Sequence, residues 1–281
     1  MFLRELFLLT RFEHALMLAF AVLIAETIVL GAIPPLGITI ALSLAVPILS
    51  EAGSFALNDY LDVETDRLNK KTDRPLVRGT ISRGFALWFS AGALLASCAL
   101  AAMISGAAFV IAAAFNAAAV AYNIRLKDLP LVGNAYIGLT MAIPFIFGNF
   151  VITDSLSPLA LVLAALGFVA GLAREIIKSA QDMEGDVRAR GSKTLPVIIG
   201  KRPAAYVAVA LYLLFIPLTA APFMLGLAQK PIALGLVFAA DVMILAVCYK
   251  TVAKNDFKYA RDGSLRAFIF GMLGILLAAL P

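Results

Sequence analysis

Apolar stretches of about twenty residues, the length a helix needs to cross some 30 Å of hydrocarbon, recur along this chain nine times. They run over about 14–33, 37–57, 84–104, 106–122, 134–152, 157–178, 203–228, 231–250 and 265–280 and consume most of the 281 residues. With 62% hydrophobic and 15% charged residues, too little polar surface remains to keep a soluble globule of this size in water. The pattern predicts an all-α membrane protein of nine transmembrane helices. Arg4, Glu5 and Arg11 lead directly into the first span with no small-residue cleavage site, so that helix is expected to stay rather than serve as a leader.

Lysine and arginine set the orientation, because short loops rich in them remain in the cytoplasm. Of the 23, all but Lys230 fall in alternate loops on one side, in clusters at Arg4 and Arg11, Arg67 to Arg83, Arg125 and Lys127, Arg174 to Arg202, and Lys250 to Arg266. One missed or invented helix would scatter the later clusters over both faces, so the split supports the helix count as well. The N-terminus is expected in the cytoplasm and the C-terminus outside. The net charge of +5 is then a topology signal, and no nucleic-acid partner is expected. Cys98 and Cys248 fall in predicted spans and read as packing residues.

Half of the 18 acidic residues lie in two windows, 58–83 and 174–202, on the basic side. In the first, Asn58 is followed by Asp59, Asp62 and Asp66, a spacing that puts the three carboxylates on one face of a helix. In the second, Arg174, Lys178, Asp182 and Asp186 form a ladder four residues apart. Each window continues into a basic tail with a Thr and a Pro before a closing Gly, at Gly79 and Gly200, and the two resemble an internal repeat. Carboxylates at helical spacing repel one another, more so beside a low-dielectric membrane, and a cation relieves the repulsion. Hard oxygen ligands without His or Cys favour Mg²⁺, which takes one or two carboxylates and completes its octahedron with water and phosphate oxygens. Arg74, Arg78, Lys127 and Lys178 are placed to neutralise the remaining charge of a diphosphate. A mixed-charge, merely solvated loop is the alternative for either window taken alone. Gly191, Ser192, Lys193 and Thr194 imitate a P-loop ending, but a Ser separates Gly from Lys and the pattern fails.

Glu26, Glu51 and Asp241 fall inside predicted spans, where an ionisable group is costly and a functional candidate by default. Glu51 leads on its helix toward the first acidic cluster and is expected to line the same cavity, whereas a protonated structural role suits Glu26 and Asp241 equally well. Tyr122 closes the fourth span, and both an interfacial anchor and a substrate contact remain open for it. Trp88 and His14 read as interfacial residues.

Asn58, Asp59, Asp62 and Asp66, with the tail Arg74, Pro75, Arg78, Gly79, resemble the first signature of the UbiA superfamily of intramembrane prenyltransferases, and Lys178, Asp182 and Asp186 resemble its second. The resemblance spans nearly the whole chain and implies a single domain over 1–281, a nine-helix bundle around a central cavity, and Mg²⁺-dependent transfer of an isoprenyl group from its diphosphate. It implies metal ligation by Asp62, Asp66, Asp182 and Asp186, catalytic roles for these with Asp59 and Lys178, and substrate contacts at Asn58, Glu51, Arg74, Arg78, Tyr122, Lys127 and Arg174. Many members carry Tyr where Arg174 stands. The run from Arg174 to Asp186 is similar to the archaeal digeranylgeranylglyceryl phosphate synthase branch, which implies geranylgeranyl diphosphate as donor and a lipid-like glycerophosphate acceptor in ether-lipid synthesis at the cell membrane, with the active site on the cytoplasmic side. An aromatic prenyltransferase of quinone or chlorophyll synthesis is the alternative within the superfamily. A CDP-alcohol phosphotransferase would need its aspartates contiguous on one helix pair, and a cation transporter would place carboxylates at the midplane; oligomeric state is not legible.

Cysteines introduced at Gly79, Gly191 and Asn255 are expected to react with an impermeant thiol reagent only from the cytoplasmic side, and one at Ser155 only from outside. Labelling of Gly79 and Ser155 from the same face would contradict the nine-helix topology.

Overall fold

In the computed structural model, which describes residues 2–68 and 70–281 and all of their side chains except those of Asp186, Ala189 and Arg190, helices follow one another with short connections. They are α1 (Phe2–Thr10), α2 (Phe12–Leu30), α3 (Ile38–Leu68), α4 (Pro75–Arg78), α5 (Arg83–Ile104), α6 (Gly106–Ile124), α7 (Val132–Ile152), α8 (Pro158–Arg190), α9 (Leu195–Ile199), α10 (Lys201–Leu218), α11 (Ala221–Met224), α12 (Pro231–Lys254) and α13 (Phe257–Ala279). Among the described residues no strand occurs, and nine of the helices are long and apolar enough to cross a membrane.

Capping residues explain how such long helices reverse in so few residues. Ser105 ends α5 and starts α6, its hydroxyl accepting from the Ala108 amide at 3.0 Å. Asn255 takes a left-handed conformation after α12, and Asp256 then caps α13 by accepting from the Tyr259 amide at 3.0 Å. That cap starts the last helix at Phe257, well before the apolar run at 265. Pro222 interrupts the seventh predicted span, which divides into α10 and the short α11.

α3 and α8 depart most from the hydropathy reading. Both run beyond their apolar stretches, to Leu68 and Arg190, so each acidic window is an unbroken extension of a spanning helix. A helix satisfies its own backbone hydrogen bonds, so it can emerge from the bilayer without a loop at the boundary. The tails repeat in structure as well: α4 and α9 each carry Pro in the first turn and end at a glycine with positive φ, Gly79 at 75° and Gly200 at 93°.

Close approach of α2, α7 and α8 rests on glycine. A Cβ on Gly167 of α8 would stand 2.3 Å from the Met141 carbonyl oxygen of α7, and one on Gly148 of α7 would stand 2.7 Å from that of Val22 on α2. α3, α5 and α6 are instead joined by buried polar contacts: Ser50 donates to Ser97 at 3.1 Å, and Asn116 donates to Ser97 at 2.6 Å. Glu26 has its partner in the same interior, accepting from the Ser43 hydroxyl at 2.5 Å.

The basic clusters meet at one end of the bundle. Arg11 reaches Asp59, Lys127 reaches Asp62, and Ser192 reaches Asp128, which brings the α1–α2 junction, the end of α3, the α6–α7 connection and the α8–α9 connection together. Lys230 lies at the opposite end and donates to the carbonyl oxygens of Leu280 and Pro281. α1 was not foreseen from hydropathy. It buries Glu5, Leu9 and Thr10 and leaves Phe2, Leu3, Phe7 and Leu8 exposed, as a helix lying in a membrane interface does.

Candidate functional site

The three aspartates of α3 share one face and are all buried, yet each has a different partner. Asp59 is 1% exposed, and its Oδ1 accepts from Arg11 Nη2 and Arg74 Nη1, both at 3.0 Å. Asp62 Oδ1 accepts from Lys127 Nζ at 2.7 Å, and its Oδ2 accepts from the Asn58 amide at 3.0 Å. Asp66 Oδ1 accepts from Lys71 Nζ at 2.9 Å. Desolvation drives the arrangement: carboxylates taken out of water next to an apolar slab require cations or amide donors against them.

Asn58 is the link to α6. Its amide also donates to Asn123 Oδ1 at 3.0 Å, and Asn123 in turn donates to the Ala119 carbonyl at 3.0 Å. These bonds fix the depth of α6 against α3 and so the place where Lys127 leaves the following 3-10 turn, Leu126–Asp128. Tyr122 stacks on Tyr136 of α7 at a centroid distance of 4.5 Å, and Tyr136 stacks on Phe115 at 5.7 Å. The ring thus belongs to an aromatic column between α6 and α7. Trp88, 77% exposed, has the surface position its anchor reading requires.

Arg78 is committed elsewhere. Its guanidinium pairs with Glu5 of α1 and donates to the carbonyls of Thr72 and Asp73 at 3.2 and 2.9 Å. Thr80 donates to the same Glu5 oxygen at 2.6 Å. The Thr80 hydroxyl, then Arg78, hold the Glu5 carboxyl below its ordinary range, so the stabilisation is present at neutral pH and lost as pH falls through the depressed value. Arg78 therefore closes the α4 turn onto α1, while Arg74 is the cation of that turn that reaches the aspartates. Arg11, which the sequence marked only as a topology charge, is the residue the motif reading missed. Burial and the neighbouring Arg74 push its guanidinium down against the pull of Asp59, and it still remains a cation at any working pH.

On α8, Arg174 is half-buried and its Nε has no hydrogen-bond partner. Glu175 is engaged by Lys178 at 3.2 Å. Asp182 is exposed at the charged end, and the side chain of Asp186 lies outside the described residues. Gln181, unmarked in the sequence reading, adds a buried Oε1 without a partner.

Two apolar cavities lie beneath these groups. The larger is walled by α2, α7, α8, α10, α12 and α13, and its wall on α8 ends at Ala170, one turn below Arg174. Thr219 and Asp241 are its polar members, joined by a 3.0 Å hydrogen bond from the Thr hydroxyl. The smaller lies between α2, α3, α6 and α7 with Glu51 in its wall. Leu18 lines both. Glu51 lines the smaller cavity, whose wall on α3 stops at that residue and includes none of Asn58, Asp59, Asp62 or Asp66, whereas Glu26 is fully buried against Ser43.

Asp62 and Asp66 offer hard oxygens on one helix face, flanked by Lys71, Lys127 and Arg74. Among the described residues no three metal-ligating side chains converge on a point. Such a set fits a cation that takes few protein ligands and completes its shell with phosphate and water, as Mg²⁺ does, and does not fit an all-protein cage.

Comparison with known proteins agrees with this architecture. The sequence model of the UbiA prenyltransferase family matches residues 15–279. Digeranylgeranylglyceryl phosphate synthase of Archaeoglobus fulgidus is 33% identical over 99% of this chain and 96% of its own. The enzyme of the same name from Thermococcus gammatolerans is 34% identical over 97% of each chain. A chain solved in work on digeranylgeranylglyceryl phosphate synthase in membranes superposes with a TM-score of 0.78 at 25% identity, covering 99% of this chain and 98% of that one. A UbiA homolog from Archaeoglobus fulgidus bound to GPP and Mg²⁺ shares the fold, with a TM-score of 0.71 at 21% identity over 96% of this chain and 99% of that one.

Asp62→Asn and Asp182→Asn each keep side-chain shape and remove a charge. Each is expected to abolish Mg²⁺-dependent prenyl transfer while the protein still elutes as a folded species in detergent; near-wild-type turnover by either variant would remove that carboxylate from the site.

Proposed function

The chain belongs to the UbiA prenyltransferase family and is a multi-pass membrane enzyme, and from that premise we propose that it transfers a geranylgeranyl group from geranylgeranyl diphosphate to geranylgeranylglyceryl phosphate, releasing diphosphate. The observation that carries the reading is a rim of carboxylates and cations above an apolar cavity whose wall ends one turn below Arg174. Such a site takes a molecule that is anionic at one end and hydrocarbon at the other. The curated relatives, alike over almost the full length of the chain, bear the name of that reaction. The whole of residues 1–281 acts as one domain, in the cell membrane, with the charged end facing the cytoplasm.

Asp62, Asp66, Asp182 and Asp186 would hold Mg²⁺, and when bound it supplies positive charge to the diphosphate as that group leaves. Lys127, Lys178 and Arg74 donate N–H groups to the phosphoryl oxygens, and the electron pair of the breaking C1–O bond moves onto the diphosphate they face. The acceptor hydroxyl oxygen attacks C1 and forms the ether bond, and its proton passes to a carboxylate of the site. The apolar walls seat the isoprenoid chains and keep water from the allylic carbon.

Arg174 distinguishes an acceptor with a phosphate from an uncharged aromatic one. Its Nε is buried without a hydrogen-bond partner, and the adjacent Glu175 is engaged by Lys178. A charge-assisted hydrogen bond is worth about 1.5–3 kcal/mol, so Arg174→Tyr is expected to raise the KM for the glycerophosphate acceptor roughly ten- to a hundredfold and to change that for the donor little. An equal loss for both substrates would assign Arg174 to the donor or to folding. The direct test of the reaction is purified protein with labelled geranylgeranyl diphosphate against a panel of acceptors: ether formation on geranylgeranylglyceryl phosphate supports the proposal, and turnover with aromatic acceptors alone overturns it.

A further inference from the structure

The chain has one histidine, and it stands where the two motifs and the two cavities come together. His14 lies in the first turn of α2, at the charged end, one turn before Met17 and Leu18. Met17 lines the larger cavity and Leu18 lines both, so the imidazole heads the wall that the cavities share. Its ring meets that of Phe55 on α3 edge-on at a centroid distance of 5.8 Å, and its charged neighbours are Glu13, Arg11 at the α1–α2 junction, and Arg174 and Lys178 on α8. An interfacial anchor faces lipid, as Trp88 does with 77% of its surface exposed; His14 is instead placed between α3 and α8.

The side chain is equipped to carry a proton. Its Nδ1 is buried without a hydrogen-bond partner, Glu13 Oε1 stands 3.8 Å from that nitrogen, and the Glu13 side chain is 64% exposed. Histidine ordinarily titrates near neutral pH, so its neutral ring offers a lone pair that the arginines and lysine around it lack. The carboxylates of the rim are already engaged: Asp59 by Arg11 and Arg74, Asp62 by Lys127, Asp66 by Lys71 and Glu175 by Lys178.

We propose that His14 is the general base of the ether-forming step. The inference rests on the prenyl-transfer reading, in which the donor diphosphate lies toward the α3 aspartates and the acceptor phosphate toward Arg174, so that the reacting carbon and oxygen meet between them. His14 Nε2 takes the proton of the acceptor hydroxyl as that oxygen bonds to C1. The C1–O bond to diphosphate breaks and its electron pair leaves with the diphosphate. The imidazolium then passes its Nδ1 proton to the Glu13 carboxylate, which is open to solvent, and the neutral ring is restored.

His14→Gln tests the role, because it keeps a polar side chain of similar reach and cannot accept the proton. The measurement is steady-state turnover of the purified full-length protein with geranylgeranyl diphosphate and geranylgeranylglyceryl phosphate across the range in which histidine titrates. His14→Gln is expected to lower kcat about 10²- to 10⁴-fold while KM for either substrate changes less than about threefold and the melting temperature stays near that of wild type. Wild-type kcat is expected to fall on the acid side as the imidazole protonates, and that limb to be absent from the variant. Added imidazole is expected to return part of the activity of His14→Ala, in which the ring's space is vacated. Near-wild-type kcat in His14→Gln, a loss that appears as raised KM with kcat intact, or an acid limb unchanged by the substitution overturns the proposal. Should neither variant fold, a wild-type kcat that does not fall on the acid side overturns it. A wild type that forms no ether counts against the reaction and takes this proposal with it, whereas an active wild type matched by its His14 variant counts against His14 alone.

Discussion

A carboxylate at the rim of a bilayer loses most of its hydration, and the cost is met only when a cation or an amide donor stands against it. Asp59 shows how much of this fold follows. Its two arginines come from the α1–α2 junction and from the turn before α4, so one buried anion fixes two pieces of chain against α3. Asp62 does the same through Lys127 for the α6–α7 connection, and Glu5 through Arg78 and Thr80 ties α1 to the α4 turn. These pairs hold the charged end of the bundle together.

Below the rim a different constraint operates. Lipid offers no hydrophobic drive between helices, so α2, α7 and α8 are brought together by glycines at Gly148 and Gly167, whose absent side chains let backbones touch. Apolar space remains between these helices and their neighbours, and Gly167 itself lines the larger of the two cavities. The division of labour is physical: polar pairing fixes the headgroup end, and loose apolar packing makes room for isoprenoid chains.

The number of spanning helices, the side on which the basic loops gather and the common face of Asp59, Asp62 and Asp66 were all legible in the sequence, because each depends on periodicity or composition over a few turns. Partner choice was not. Arg11 and Asp59 lie 48 residues apart, and Lys127 and Asp62 lie 65 apart; local spacing carries no information about which cation a buried carboxylate will take. The motif reading therefore grouped Asp59 with Asp62 and Asp66, and Arg78 with Arg74, where the structure gives the members of each group different neighbours. Helix ends were misjudged for a related reason: hydropathy marks where the bilayer stops, whereas α3 and α8 stop only where their backbone does. The side chain of Asp186, prominent in the second motif, lies outside the described residues.

The central claim is that the charged end binds a divalent cation and a diphosphate together, each completing the site for the other. Mn²⁺ can replace Mg²⁺ as a paramagnetic probe, and its binding to the purified protein can be followed by electron paramagnetic resonance with and without inorganic diphosphate. With few protein ligands for the metal and an excess of cations around them, the account predicts weak Mn²⁺ binding alone and markedly tighter binding once diphosphate is added, beyond what free diphosphate chelates. Mn²⁺ affinity for the protein that is unchanged by diphosphate, or lowered by it, would contradict the account.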